Sequence, residues 1–394
     1  MAGSLQVEII KPEALSPAEE TLWRAMLAAN PDLASPYFRP EFTRIAGSIS
    51  PEAAVAVFRQ DGEIVGFFPH QTRGGTIQPL GAPMNDYHGV IAFPGRAPDL
   101  DTVASLLNVP RLRVGAWVGE AHEAEDRETL MVAMPEGPDG DSYGAWYAER
   151  RQTCGKYFKD KERARRSLET ELGAITVERD LRDPALLDQL IVLKRDQYRR
   201  TGRHDIFDCG WTADLLHALL QARGEDDFGA SMAAMYAGGK LVAVEYSLHA
   251  GGRYHFWFPV YEPTLARCSP GILLSLDTMR LASARGYRVF DFGFGGEGYK
   301  KYFCNAHQTV REAVIVRPSL SAGLSNAAVG LLNKAGKMRG DRLRTSVRRR
   351  WAAIEACETT SMDRFKGAVG AAQVAMSKGR ARAAQRMADP AVSG

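Results

Sequence analysis

Apolar residues recur at helical spacing at Ile272, Leu273, Leu276 and Met279, directly after Ser269-Pro270 and ahead of Arg285-Gly286. The serine predicts an N-cap hydroxyl, the proline a first helical residue and Gly286 the turn that closes the helix. Residues 287–292, short, aromatic and followed by glycine, predict a buried strand. Upstream, alternating and apolar runs predict strands over 174–177, 231–236, 241–249 and 253–258. Helices are predicted over 186–198 and 212–222, and a final strand over 310–316. The order β-α-α-β-β-β-α-β-α-β fits one mixed sheet with a hairpin meander and a crossover helix.

The first 160 residues carry a rougher version of this order. A strand over 5–10 precedes a helix over 17–30 and an aromatic patch over 37–45. Runs at 53–59 and 64–70 flank Asp61-Gly62, a two-residue hairpin signal. A Gly/Pro-rich loop at 77–89 holds polar side chains; a helix over 99–107 and strands over 112–117 and 130–133 follow. Residues 143–171 read as one basic connecting helix with Lys156, Lys159, Lys161, Arg163, Arg165 and Arg166. Two copies of one α/β fold side by side are therefore expected, as domains 1–160 and 161–318, with a basic helical tail at 319–394.

Composition narrows the class. A chain of 394 residues has room for two or three domains, and no run of about 20 apolar residues or basic-then-apolar leader is present. The five cysteines form no C-x-x-C pair and the eight histidines show no zinc spacing, which points to a reducing, cytoplasmic setting without a structural metal. Fourteen Lys and Arg against five Asp and Glu put residues 319–394 at +9, so with +3 overall the first 318 carry −6. The tail predicts basic amphipathic helices suited to an anionic membrane face. Arg344 and Arg348, a helical turn apart, are candidates for an anionic nucleotide such as cyclic di-GMP. DNA is not expected, because no nucleic-acid module is visible and the body is acidic. Gly293-x-Gly295-x-x-Gly298 matches a dinucleotide fingerprint, but too few residues separate it from the next strand for a full crossover helix.

Several motifs carry a family resemblance: Tyr261-Glu262-Pro263 ahead of Ser269-Pro270-Gly271; Phe290-Asp291-Phe292-Gly293 ahead of Tyr299-Lys300-Lys301-Tyr302-Phe303; Pro79-Leu80-Gly81-Ala82-Pro83; and Asp86-Tyr87-His88. With the element order, they resemble the acyl-CoA N-acyltransferase (GNAT) fold. More narrowly they are similar to the acetyltransferases of cellulose and other exopolysaccharide biosynthesis, holdfast-type adhesins included. Those in turn resemble the peptidoglycan-bridge aminoacyltransferases built from two GNAT-like halves. The resemblance spans about residues 30–317. It implies acetyl-CoA as co-substrate, its pantetheine arm between splayed strands at 253–258 and 287–292. Its pyrophosphate would meet Ser269, Gly271, Ile272 and Leu273, with Arg267 beside them. The usual (Gln/Arg)-x-x-Gly-x-(Gly/Ala) signature is incomplete here, since Pro270 removes a donor.

Acyl transfer needs a base and a donor for the thioester oxyanion. Glu245, which interrupts an apolar strand, is the first base candidate, against a buried ion pair. His255 is the second, against a core histidine bonded to backbone. Tyr261 is a candidate acid for the leaving thiolate. Asp86, Tyr87 and His88 are candidates for lining an acceptor cleft between the halves. Lys300 and Lys301 would meet a phosphate of a nucleotide- or lipid-linked sugar, against solvated lysines on an aromatic-anchored helix. The expected function is acetyl transfer to a nitrogen or oxygen of an exopolysaccharide sugar or its lipid-linked precursor. The alternatives are a membrane-recruited binding scaffold with reduced turnover, and aminoacyl transfer from charged tRNA along the basic connector.

Overall fold

The computed structural model describes residues 4–294, 298–317, 350–360 and 362–369. The first half runs β1 (Gln6–Ile10), α1 (Pro17–Ala29), α2 (Pro40–Ile49), β2 (Ala53–Gln60), β3 (Glu63–Arg73), β4 (Thr76–Pro79), β5 (His88–Gly89), α3 (Leu100–Leu107), β6 (Arg111–Val118) and β7 (Glu125–Ala133). Helices α4 (Ser142–Thr153) and α5 (Gly155–Leu172) connect it to the second half. There follow β8 (Ile175–Leu181), α6 (Pro184–Thr201), α7 (Trp211–Gln221), β9 (Gly229–Ala237), β10 (Lys240–Ala250), β11 (Arg253–Tyr261), α8 (Pro270–Ser283), β12 (Val289–Phe294), α9 (Lys300–Phe303) and β13 (Ala306–Val316).

Local chemistry sets these elements. Ser16 and Glu19 form a capping box at the start of α1. Asp61 and Gly62 turn the β2–β3 hairpin with φ of 53° and 83°, the left-handed pair a two-residue turn requires. The single helix expected over 143–171 is two, broken at Cys154. The break lets α4 fold against α5, so that Tyr147 and Phe158 meet edge to face at 5.1 Å.

All thirteen strands join one sheet, and the join has an unexpected form. Strands β1-β2-β3-β4-β6 of the first half repeat the order β8-β9-β10-β11-β12 of the second, and β4∥β6 matches β11∥β12. The last strand of each half is exchanged: β13 pairs antiparallel with β6, β7 pairs antiparallel with β12, and β7 and β13 pair with each other. The two copies expected from sequence are present as a repeat of strand order, fused through these strands. One hydrophobic cluster spans both halves, from Trp23, Phe42 and Phe67 to Leu187, Leu215 and Val244. A second lies under α8, where Leu276 and Met279 cover Tyr254, Phe256, Phe290 and Phe292.

Part of the tail departs from expectation. Residues 350–357 form a helix packed into the body, with Ile354, Ala356 and Cys357 buried. The buried Glu355 carboxylate lies 3.2 Å from Arg111 and 3.1 Å from Arg113 of β6. Arg344 and Arg348 lie outside the described residues. Among the described residues no helix is long and apolar enough to cross a membrane.

Candidate active site

The central feature is a fork. Parallel strands β11 and β12 pair only at Arg253/Val289, Tyr254/Phe290 and His255/Asp291, although β11 continues to Tyr261 and β12 to Phe294. The cause is visible in β11: Tyr246 of β10 faces Phe258 while Ser247 faces Phe256, so Trp257 is an extra residue. Such a bulge bends the strand and ends its pairing. Pro259 follows, with no N–H for a ladder. Lys300 is buried and donates to Phe292 O (2.6 Å) and Phe294 O (2.5 Å), both beyond the last β11–β12 pair. The lysine thus satisfies carbonyls where the fork opens, instead of standing free for a sugar phosphate as expected. Lys300→Met is expected to cost about 2 kcal/mol, the penalty for stranding buried carbonyls, read as a lower urea midpoint.

A charged cluster sits at the crotch of the fork. The His255 ring is fully buried, its Nε2 3.1 Å from Asp86 Oδ2 and its Nδ1 3.5 Å from Asp291 Oδ1. Asp291, also fully buried, accepts from Tyr87 Oη at 2.7 Å and from the Gly293 N–H at 2.8 Å, and lies 3.5 Å from Arg253. Burial pushes the imidazole down, but Asp291 and Asp86 outweigh it and hold His255 at about 9. Burial likewise pushes Asp291 up, and His255 and Arg253 reverse that, so its carboxyl lies below the usual range. His255 is therefore an imidazolium at neutral pH, which fits a positioning cation better than a base. Asp86 alone in the ring of carboxylates and imidazole reaches solvent, with 31% of its side chain exposed.

The other sequence candidates are dispersed. Glu245 is buried under α8, accepts from Ser275 Oγ at 3.2 Å and meets no cation among the described residues. Burial raises its carboxyl to about 8 against the hydroxyls of Thr278 and Ser275, so it is neutral near pH 7 and shut off from solvent. Tyr261 is 40% exposed at the end of β11, and its ring lies against Gly271, where an added Cβ would stand 3.3 Å from Cδ1. His88 is turned into the first half on β5 beside Trp117, fully buried, and burial lowers it to about 3. It does not join Asp86 and Tyr87 at the cluster, because on β5 it is paired with Trp117 of β6. Lys301 lies 5.0 Å from the ring of Tyr302.

The start of α8 also differs from the pattern expected. Ser269 adopts φ 51°, ψ 44° and makes no side-chain cap. Its carbonyl accepts from Ile272 N (3.0 Å) and Leu273 N (3.1 Å), so these two amides already have partners. Its hydroxyl accepts from Lys161 Nζ at 2.8 Å. Arg267 is exposed and paired with Glu171 of α5. The cation at the helix start is thus Lys161, which sequence reading placed in a generic basic connector. Arg165 pairs with Asp277 of α8 and Arg163 with Asp160, so half of that basic set is engaged within the fold. The start of α8 thus has an opened strand pair, Gly271 and Lys161 around it; a full set of free helix amides is not offered.

Tyr87 and Asp291 are the residues whose roles sequence reading understated. Pro259 inside an aromatic strand was the available signal for an unpaired edge. Among the described residues no group of three His, Cys, Asp or Glu side chains is placed to hold a metal ion.

Residues 155–301 match the acetyltransferase (GNAT) domain family. No curated protein matches the chain. Among solved structures, the C-terminal DUF2156 domain of an Agrobacterium fabrum protein assigned as a lysylphosphatidylglycerol synthetase is 13% identical. It covers 80% of this chain and 98% of its own, with a TM-score of 0.45. A tandem GNAT protein from the clavulanic acid biosynthesis pathway is 11% identical over 80% and 100% of the two chains, with a TM-score of 0.43. FemX is 12% identical over 77% and 95%, also at 0.43. At such scores these structures lend no chemistry to this chain. The family match, coinciding with α5 to the fork, makes residues 155–301 a GNAT acetyltransferase domain and the protein an acyltransferase.

Proposed function

We propose that the protein transfers an acetyl group from acetyl-CoA to an amino or hydroxyl group of a surface-polysaccharide sugar or its lipid-linked precursor. The observation that carries this reading is the parting of β11 and β12 after His255/Asp291, which leaves a slot between two strands of an otherwise continuous sheet. A thioester lodged there would lie beside β11 amides released from pairing, which suit a developing oxyanion. Asp86, at the mouth, takes the acceptor's proton, and His255 and Asp291 hold it in place. Attack on the thioester is direct, with no covalent enzyme intermediate. In the same reading the basic tail keeps the enzyme near an anionic membrane face, where a lipid-linked acceptor would be presented.

Calorimetry with acetyl-CoA, followed by thiol release on amino-sugar acceptors, tests the reading. Asp86→Asn is expected to slow turnover roughly a hundredfold with donor affinity unchanged, the usual contribution of a positioned base. Absence of acetyl-CoA binding by the parent protein would sink the proposal.

A further inference from the structure

Away from the fork, the helix at 350–357 meets the start of α7. A cavity of about 590 Å³ opens there, lined among others by His204, Asp208, Cys209, Trp211, Arg350 and Cys357. Among the contacts that hold the helix against the body are Glu355 between Arg111 and Arg113, with Thr76 Oγ1 donating to it at 3.1 Å, Arg73 Nε on Ala356 O at 3.3 Å, and Trp211 Nε1 on Cys357 O at 3.2 Å. The last two fall on the carbonyls of Ala356 and Cys357, and the second comes from the first residue of α7, which fixes Cys357 against that helix. Its thiol is buried and shares the cavity wall with the thiol of Cys209, 148 residues earlier in the chain, near enough that each shifts the other's ionisation.

We propose that Cys209 and Cys357 form a reversible disulfide that fastens the C-terminal helix to the acetyltransferase domain. Cys209 is the attacking sulfur. It is partly exposed on the cavity wall, one residue before the N-cap of α7, with Sγ 3.0 Å from Ile206 O and 3.8 Å from Thr212 Oγ1. The neighbouring Cys357 thiol lowers its pKa, against burial, which favours the reactive thiolate. The same proximity and burial push Cys357 up, so it stays a thiol until it resolves the intermediate. With a peroxide as oxidant, the Cys209 thiolate attacks one oxygen, the O–O bond breaks and hydroxide leaves, giving the sulfenic acid. The Cys357 sulfur then displaces hydroxide from Cys209, forming the S–S bond while its proton leaves in water. Two thiols and one hydrogen peroxide become one disulfide and two waters.

The remaining thiols lack this geometry: Cys304 is raised to about 12 by burial, and no thiol partner of Cys154 or Cys268 is found among the described residues.

The full-length protein is treated with equimolar hydrogen peroxide, alkylated under denaturing conditions and peptide-mapped, with free thiols counted in parallel. The expected result is a fall from five free thiols to three, a Cys209–Cys357 cross-linked peptide pair that dithiothreitol separates, and at least roughly tenfold slower amide exchange over 350–357. Cys209→Ser should keep every remaining thiol free under the same treatment. Oxidation to a sulfenic or sulfinic acid at Cys209 with Cys357 still alkylatable, or cross-links to other cysteines, would overturn the proposal. Because mapping is done on the parent protein, the outcome depends neither on a variant folding nor on any acyltransferase activity.

Discussion

Asp291→Asn is expected to destabilise the protein by about 3–5 kcal/mol near neutral pH, the cost of removing the counterion from a buried charge. Asp291 is fully buried between His255 and Arg253 and bonded by Tyr87 and the Gly293 amide, so an asparagine leaves two cations facing a neutral group. The pH dependence gives a second readout. His255 is held at about 9 against an ordinary 6.5, so its contribution is complete below about pH 6.5 and is lost as pH rises through 9. Removing Asp291 weakens that hold and flattens the decline. Urea unfolding of both proteins from pH 6 to 9.5 measures both effects, and equal midpoints with equal slopes would refute Asp291 as the counterion. In the folded variant, loss of acetyl transfer should exceed loss of acetyl-CoA binding if, as proposed, Asp86 of this cluster takes the acceptor's proton.

Glu245→Gln should act in the opposite direction. The folded carboxyl keeps its proton to about pH 8, whereas an unfolded one releases it near 4.5, so folding binds a proton across that window. Stability therefore falls as pH rises from about 4.5 to 8, and burying the anion above 8 is the unfavourable state. Glutamine keeps the shape and a partner for Ser275 but carries no proton to lose. The variant should match the parent near pH 5 and exceed it by about 3–5 kcal/mol near pH 9. Turnover should survive, because Glu245 is enclosed by β10 and α8 while Asp86 stands at the mouth. If turnover instead fell roughly a hundredfold or more at normal stability, the base role would return to Glu245.

Much of the local structure was legible. Pro270 and the period of Ile272, Leu273, Leu276 and Met279 marked α8, and Asp61-Gly62 marked the hairpin, since both are short-range consequences of backbone sterics and side-chain spacing. Asp86 and His255, from stretches 169 residues apart, stood out through local oddity: polar groups within a Gly/Pro loop and within an aromatic strand. Their meeting at 3.1 Å could not be read from either stretch.

Propensity, capping and alternation act over a few residues, so the chain's own pattern dictated the elements, their order and the GNAT-like repeat. Which strands part and which exchange was left to folding, because pairing depends on register and on neighbours hundreds of residues away. Folding also chose which charges act. Lys300 became a clamp, Arg267 a surface pair and Lys161 the cation at α8, because burial and the nearest opposite charge, set only in three dimensions, fix what an ionisable side chain does.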